Sequence, residues 1–448
     1  MPAPAAGVKA LATGRRLSLR AAPQYCIKLY GLEPLTLSGL RSIFARLCPF
    51  RGIAKGRFGM ERTARPQPIA VLDSWRGLFA LAVVLLHAPV PFWGSQGSLV
   101  QSFYLAVDFF LVLSGFVIAM NYERRLSSVQ EVFSFAWRRF WRLYPLHITT
   151  LVLMGLMVLV MQRAGVSGNG HQAEATLGDF LNMVLLLHAF GTTNIDVFNW
   201  PSWSISAEIW SYLAFALVVF IVGRRDRLRL AIYAAIGALG LAMVFAFPAD
   251  PGRNAFLSVT GLGIGRGLFG FFTGVLTWRL FDATRAARFW QSAAVMTFAE
   301  LVLIVLILAG LALIDDTTPF VLLVVALFPA LIIVFASQAG VVSKLLDARP
   351  FMALGTLSYG IYLWHLLVAK CVAWALYRPL HAFFENHEFP GWTEVLATHA
   401  LLAAYIAATI MVAALSYRWV ERPVREWSRR TSPAALLRSR TVGAQDLS

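Results

Sequence analysis

The first long apolar run of the chain carries two ionisable side chains that can share one helix face. Arg76 and His87 are eleven residues apart, which on an α-helix places them on the same face, about 16 Å apart along the axis. An arginine at the membrane edge suits an anion such as a phosphate, and Asp73, one turn earlier, can pair with it. A histidine deeper in the run suits proton transfer near neutral pH. The pair indicates either an anion site with a proton-transfer group, or a snorkelling arginine and a hydrogen-bonded histidine.

Two carboxylates in later apolar runs are candidates to act with His87. Asp108 lies near the start of the second run, where it could fix the tautomer of the histidine or pair with a membrane arginine such as Arg266. Glu208 of the fourth run is predicted at the depth of His87, and Ser204 shares its helix face. A histidine and a carboxylate at one depth predict an acid–base pair.

A polar stripe crosses the ninth apolar run. Ser358, Tyr362 and His365 fall at i, i+4 and i+7, which places them on one face of an otherwise apolar helix. Tyr362 and Ser204 are candidates to steady a developing oxyanion. Aromatic side chains also begin the fourth run, and they are interpreted as an interfacial belt rather than a stacking site: Trp200, Trp203, Trp210 and Tyr212.

The segment WRRFWRLYP between the second and third runs is strongly basic. Arg139 and Arg142 are one turn apart and face the same way, with Arg138 beside them. This patch is either a positive-inside signal that also binds lipid head groups, or a dock for the phosphates of a substrate.

The elements that position these residues must lie in a membrane. Of 448 residues, 58% are hydrophobic and 14% are charged, with a mean hydropathy of +0.66, whereas soluble domains are about 45–50% apolar and about 25% charged. This composition excludes an ordinary cytosolic enzyme and a disordered chain. Three widely separated cysteines argue against a zinc cluster and a disulfide scaffold, and no metal site is expected.

Ten apolar runs are long enough, or nearly so, to cross about 30 Å of hydrocarbon. They are 74–93, 103–120, 144–161, 203–222, 229–248, 257–280, 291–314, 319–337, 356–376 and 394–417. The basic loops between them all fall on one side only if the short run 178–190 does not cross, so this run is predicted to be re-entrant or interfacial. The predicted fold is an all-α polytopic membrane bundle of about ten helices with both termini in the cytoplasm.

The net charge of +16 is concentrated at the start of the chain. Residues 1–60 contribute ten basic side chains and one acid, a net of +9. The predicted division is a basic N-terminal extension at 1–67, a membrane domain at 68–426 and a cytoplasmic tail at 427–448. Three interpretations of the extension remain open: a mis-assigned start before Met60, a disordered tail, or a targeting segment. The remaining basic residues are expected to mark the cytoplasmic face and not to bind nucleic acid.

Six segments, in this order, resemble the motifs of the acyltransferase 3 family of OafA/YrhL-like membrane acyltransferases. They are LDSWRG with His87, AVDFFLVLSGFVI, RRFWRLYP, PSWSISAEIWSYL, LGTLSYGIYLWH and SYRWVERPVR, and they cover roughly residues 68–426. Ala207 stands where the family often has valine. The chain also ends soon after the last motif, so we expect a member without the SGNH hydrolase-like domain that some relatives carry.

The resemblance implies an enzyme of a bacterial inner membrane, a bundle of about ten helices that moves an acyl group, usually acetyl from acetyl-CoA, to a hydroxyl of a glycan, glycolipid or exported glycoside. Arg76 and His87 carry over as essential, and Arg139 and Arg142 as donor-binding residues. No permanently bound cofactor is implied. Direct transfer and a relay through an acyl-histidine both remain open. The alternative function is a transporter of a polar solute or ion that uses the same buried charges.

Overall fold

The structure is a computed structural model that describes residues 69–163, 176–192, 198–247, 256, 262–314, 320–387 and 390–435. The predicted extension at 1–67 and the end of the predicted tail, 436–448, lie outside the described residues. The described part is helical and contains no strand. Its long helices are α1 Ala70–Leu86, α2 Ala106–Tyr122, α3 Val129–Arg163, α4 Trp203–Val222, α5 Asp226–Ala246, α6 Gly263–Thr284, α7 Ala293–Leu313, α8 Phe320–Ala336, α9 Arg349–Val372 and α10 Gly391–Ser416.

Each predicted apolar run falls on one of these ten helices, which confirms the all-α polytopic membrane fold. Among the described residues, seven helical stretches are long and apolar enough to cross a membrane by length and composition, and Val321–Ala336 is a shorter apolar helix. Large apolar side chains point away from the bundle, as Ile221 and Leu313 (each 73% exposed) and Phe298 (72% exposed) do. Exposed apolar surface of this kind suits contact with lipid.

The short run 178–190 is a broken helical segment held against α4. Leu177–Val184 forms a helix that ends before Leu186, whose φ of 57° is left-handed. The Leu186 carbonyl accepts hydrogen bonds from Ser206 Oγ at 2.5 Å and Trp210 Nε1 at 2.9 Å. Eight helical residues rise only about 12 Å, so this segment is too short to cross.

The arrangement of α1 and α9 tests the predicted number of crossings. A side chain on Gly77 would overlap the backbone at Gly355, and one on Gly355 would overlap the Asp73 carbonyl, so the two helices touch at these glycines. Ten residues further along each helix, His87 faces His365. The helices therefore run parallel, as the first and ninth of ten crossings must. A further crossing at 178–190 would have made them antiparallel.

Close packing without large side chains also joins α2 to α6. The two helices touch at Gly115, because a side chain there would overlap the Phe271 carbonyl. Gly274 meets the Val112 carbonyl in the same way. Helices in lipid gain little from burying apolar surface, so small residues that allow backbone contact stabilise their packing.

The chain closes on the basic end of α3. After α10, a π-helical turn at Tyr417–Glu421 leads into a last helix, α11 Arg422–Arg430. Trp427 of α11 packs its ring 5.6 Å from that of Trp137 and 5.1 Å from that of Trp141. This helix continues past residue 426, where the sequence analysis placed the end of the membrane domain.

Candidate active site

Two imidazole rings meet where the end of α1 lies beside the C-terminal half of α9. The ring centroids of His87 and His365 are 5.0 Å apart, and the ring of Trp200 lies edge-on to His87 at 4.9 Å. Tyr362, one turn before His365, contacts its ring at 5.9 Å, and Ser204 of α4 bonds Tyr362. We call these five residues the histidine cluster.

The hydrogen bonds of the two histidines identify their tautomers. His87 Nδ1 lies 2.9 Å from the Val83 carbonyl oxygen and His365 Nδ1 lies 2.6 Å from the Tyr362 carbonyl oxygen. A carbonyl only accepts, so each Nδ1 carries a proton, and in the neutral imidazole each Nε2 keeps its lone pair. His365 is fully buried, and its Nε2 has no partner among the described residues. His87 is half-buried, so a substrate can reach its Nε2.

The two candidate oxyanion donors are hydrogen-bonded to each other. Ser204 Oγ and the Tyr362 hydroxyl are 2.9 Å apart, and Tyr362 donates to the Pro201 carbonyl at 2.7 Å. Their protons are therefore committed within the protein, and either hydroxyl would have to rotate to donate to a substrate.

The predicted aromatic belt is wrong for most of its members. Trp200 faces His87, and Trp203 is only 1% exposed. Tyr212 donates to Glu208. The prediction failed because these side chains point into the bundle. Their direction depends on how α4 is rotated and not on residue type.

A second group of charged residues lies near the N-terminal end of α1, away from His87. The Arg139 guanidinium is 5.0 Å from the ring centroid of Tyr122 and 5.8 Å from that of Tyr212, and its Nε is buried without a described partner. Arg76 pairs with Asp73 at 3.2 Å. We call Arg76, Arg139 and Arg142, with the carboxylates Asp73 and Glu208, the arginine cluster.

Glu208 belongs to the arginine cluster, which corrects the prediction that it pairs with His87. One of its oxygens accepts from Ser114 Oγ at 2.5 Å and from the Tyr212 hydroxyl. The charges of Glu208 and Asp73 both act on Arg142. Glu208 lies one turn further along α4 than Ser204, the residue of this helix that contacts Tyr362 of the histidine cluster.

Asp108 is also elsewhere than expected, so its assignment as a partner of His87 is corrected. Arg266 Nε donates to one oxygen of Asp108 at 2.8 Å and Nη2 to the other at 2.5 Å, while Nη1 donates to the Phe256 carbonyl at 2.6 Å. Asp108 is fully buried and Arg266 is 3% exposed. This bidentate pair, the alternative open in the sequence, ties α2 to α6, so Arg266 is also not free to line a pore.

Helix α4 connects the two clusters. Ser204 stands in the histidine cluster and Glu208 in the arginine cluster, one turn or about 6 Å apart along the helix axis. A cavity of about 120 Å³ is lined by Asp73 and Arg76 among others. A groove of about 300 Å³ is lined by Arg139 and Tyr212 among apolar side chains. Both spaces border the arginine cluster.

Glu421 is a site residue that the sequence analysis missed. Its carboxylate is 5% exposed and acts electrostatically on Arg425, Arg142 and Arg76. The closing segment SYRWVERPVR was used for the resemblance but not as a source of site residues. No cluster of three or more metal-ligating side chains occurs among the described residues.

Comparison with known proteins identifies the family to which the sequence is similar. The Acyl_transf_3 family model, described as an acyltransferase domain, matches residues 69–418. The peptidoglycan O-acetyltransferase OatA of Listeria monocytogenes is 26% identical over 392 residues, 82% of this chain and 58% of that protein. A putative O-acetyltransferase of Staphylococcus aureus is 24% identical, with 82% and 59% covered. The putative membrane-bound transacylase BcsY of Komagataeibacter xylinus is 26% identical, with 81% and 85% covered.

The chain spans less than two thirds of the length of the first two relatives, 58% and 59%. No solved structure matches this one.

Proposed function

The chain belongs to the Acyl_transf_3 acyltransferase family, and from this premise we propose that it is a multi-pass membrane O-acyltransferase. It moves an acyl group, which we propose is acetyl, from acyl-CoA to a sugar hydroxyl. The sugar belongs to a glycan, a glycolipid or an exported glycoside. Relatives named as O-acetyltransferases, one of them for peptidoglycan, support this activity. The observation that carries the proposal is a histidine with a free Nε2, His87, on the same helix face as Arg76 of the arginine cluster and about 16 Å from it along the axis of α1.

In this reaction the arginine cluster binds the donor. Arg76, Arg139 and Arg142 take the phosphates of acyl-CoA, because guanidinium groups match phosphate oxygens in charge and geometry. The thioester then reaches the histidine cluster along α4. The basic loops support an orientation with the arginine cluster and both termini on the cytoplasmic side of a bacterial inner membrane.

The histidine cluster carries out the transfer. His87 Nε2 takes the proton of the acceptor hydroxyl while the hydroxyl oxygen attacks the thioester carbonyl. The carbon–sulfur bond then breaks, and the proton passes from His87 to the departing sulfur. The products are the acyl ester and the thiol of CoA, and the step needs only the donor, the acceptor and His87.

The test uses the full chain in proteoliposomes with acetyl-CoA labelled in its acetyl group. Peptidoglycan fragments and membrane polysaccharide serve as acceptors, and base-labile label on the acceptor is measured together with free CoA thiol. We expect ester-linked acetyl and an equal amount of thiol. Label that enters the vesicles while the thioester stays intact would support the transporter instead, and intact thioester with no uptake would contradict the acyltransferase.

A further inference from the structure

The last helix presents one of its arginines to the protein and the others to the outside. Arg422 pairs with Glu426 at 3.0 Å on the exposed side, and Arg429 and Arg430 are exposed. Arg425 is half-buried. It shares a helix face with Ser428, three residues later, which is 2% exposed. Ser428 is buried on this face, and α11 packs on α3, the helix that carries Arg142.

A buried carboxylate lies beside Arg425. Glu421, one turn earlier in the π-helical turn, is 5% exposed, and its Oε1 has no partner among the described residues. The absence of a side chain at Gly360 makes room for it, since a Cβ there would stand 3.2 Å from Oε1. Its charge acts on Arg425, Arg142 and Arg76. π-helical turns of this kind are frequent at functional sites.

Arg142 and Arg425 are close enough for their like charges to repel. Neither guanidinium group makes a hydrogen bond or ion pair with any part of the chain that the structure describes. Guanidinium groups that converge without such partners are an incomplete site, and an anion with several acceptor oxygens would complete it. Asp73 and Glu208 are the other carboxylates that act on Arg142, and both already bond neighbours.

We propose that Arg425 is a further donor-binding residue, which together with Arg76 and Arg142 binds a phosphate group of acyl-CoA. Glu421 is the counter-ion of these arginines when no donor is bound, and the phosphate replaces it as their counter-ion when the donor binds. This inference rests on the proposed function, because it names a residue of the same donor site.

The experiment measures CoA binding to the full chain in phosphatidylcholine nanodiscs by calorimetry. Arg425→Ala is expected to weaken CoA binding roughly 10- to 100-fold, the range for losing a hydrogen-bonded charged contact. Arg425→Lys keeps the charge and should recover part of this loss. Arg429→Ala, on the exposed side of the same helix, should bind CoA like the wild type. Pantetheine, which has no phosphate, should bind all four proteins with the same affinity.

Glu421→Gln supplies a second measurement that does not depend on losing a cation. It removes the internal anion at nearly constant volume, so CoA should bind several-fold more tightly. Wild-type affinity in Arg425→Ala, or equal weakening in Arg429→Ala, would overturn the inference, as would unchanged affinity in Glu421→Gln. A wild-type protein that binds no CoA would instead contradict the proposed donor.

Discussion

The histidine cluster and the arginine cluster differ in charge, in burial and in what they leave unsatisfied. The histidine cluster has no formal charge, and both imidazoles keep a lone pair at Nε2 because their Nδ1 protons are held by carbonyls. The arginine cluster is half-exposed, borders two cavities and carries guanidinium groups without full sets of partners. A neutral acceptor suits removal of a proton, whereas converging cations suit the holding of phosphates. The difference assigns chemistry to one cluster and donor binding to the other.

The largest effect is expected from removing the base. His87→Ala should lower the turnover rate about 10²- to 10⁴-fold, the usual contribution of a general base, while CoA affinity stays unchanged. His381→Ala, which changes an exposed histidine paired with Glu385, is the control. Turnover within threefold of wild type would remove His87 from the chemistry.

Asp108 tests a buried charge that belongs to neither cluster. Asp108→Asn leaves Arg266 buried without its counter-charge, which should cost about 3–5 kcal/mol of stability and lower the melting temperature in detergent. Asp347→Asn, on an exposed turn, should not. A normal melting temperature with a strong loss of turnover would return Asp108 to the catalytic group.

Arg142 tests the binding cluster directly. Arg142→Ala should raise the KM for acetyl-CoA roughly 10- to 100-fold, because a charged contact to phosphate is lost, with kcat largely kept. The exposed Arg288→Ala serves as the control. If kcat falls and KM does not change, the arginine acts in the transfer step and the division between clusters fails.

The smallest effect separates a positioning hydroxyl from an oxyanion donor. Tyr362→Phe removes a hydroxyl that donates to the Pro201 carbonyl, and losing one neutral hydrogen bond should lower kcat roughly threefold to tenfold. A loss above about 10²-fold is typical of an oxyanion donor and would mean that Tyr362 rotates toward the substrate.

Local periodicity predicted which of these side chains share a helix face, but not that His87 meets His365 and Trp200. The spacing of Arg76 and His87 and the stripe through Tyr362 and His365 are properties of single helices, and each helix formed as expected. Charge parity of the loops likewise predicted that 178–190 does not cross, and the parallel α1 and α9 agree.

The partners of the carboxylates could not be predicted in the same way. Asp108 had two possible partners and Glu208 was assigned to His87, and the actual partners depend on which helices touch. Close contact of α2 with α6 at Gly115 brings Asp108 to Arg266, while the rotation of α4 turns Glu208 toward Arg142. Glu421 and Arg425 were missed because only the return of α11 onto α3 brings them to the site.

The most direct test of the division between the clusters compares two donors in three proteins. Acyl transfer is measured from acetyl-CoA and from S-acetylpantetheine, which lacks the phosphates, for the wild type, His87→Ala and Arg142→Ala. The account predicts that Arg142→Ala is impaired with acetyl-CoA and normal with S-acetylpantetheine, and that His87→Ala is equally impaired with both. Equal impairment of Arg142→Ala with the two donors, or transfer by His87→Ala at the wild-type rate, would contradict it.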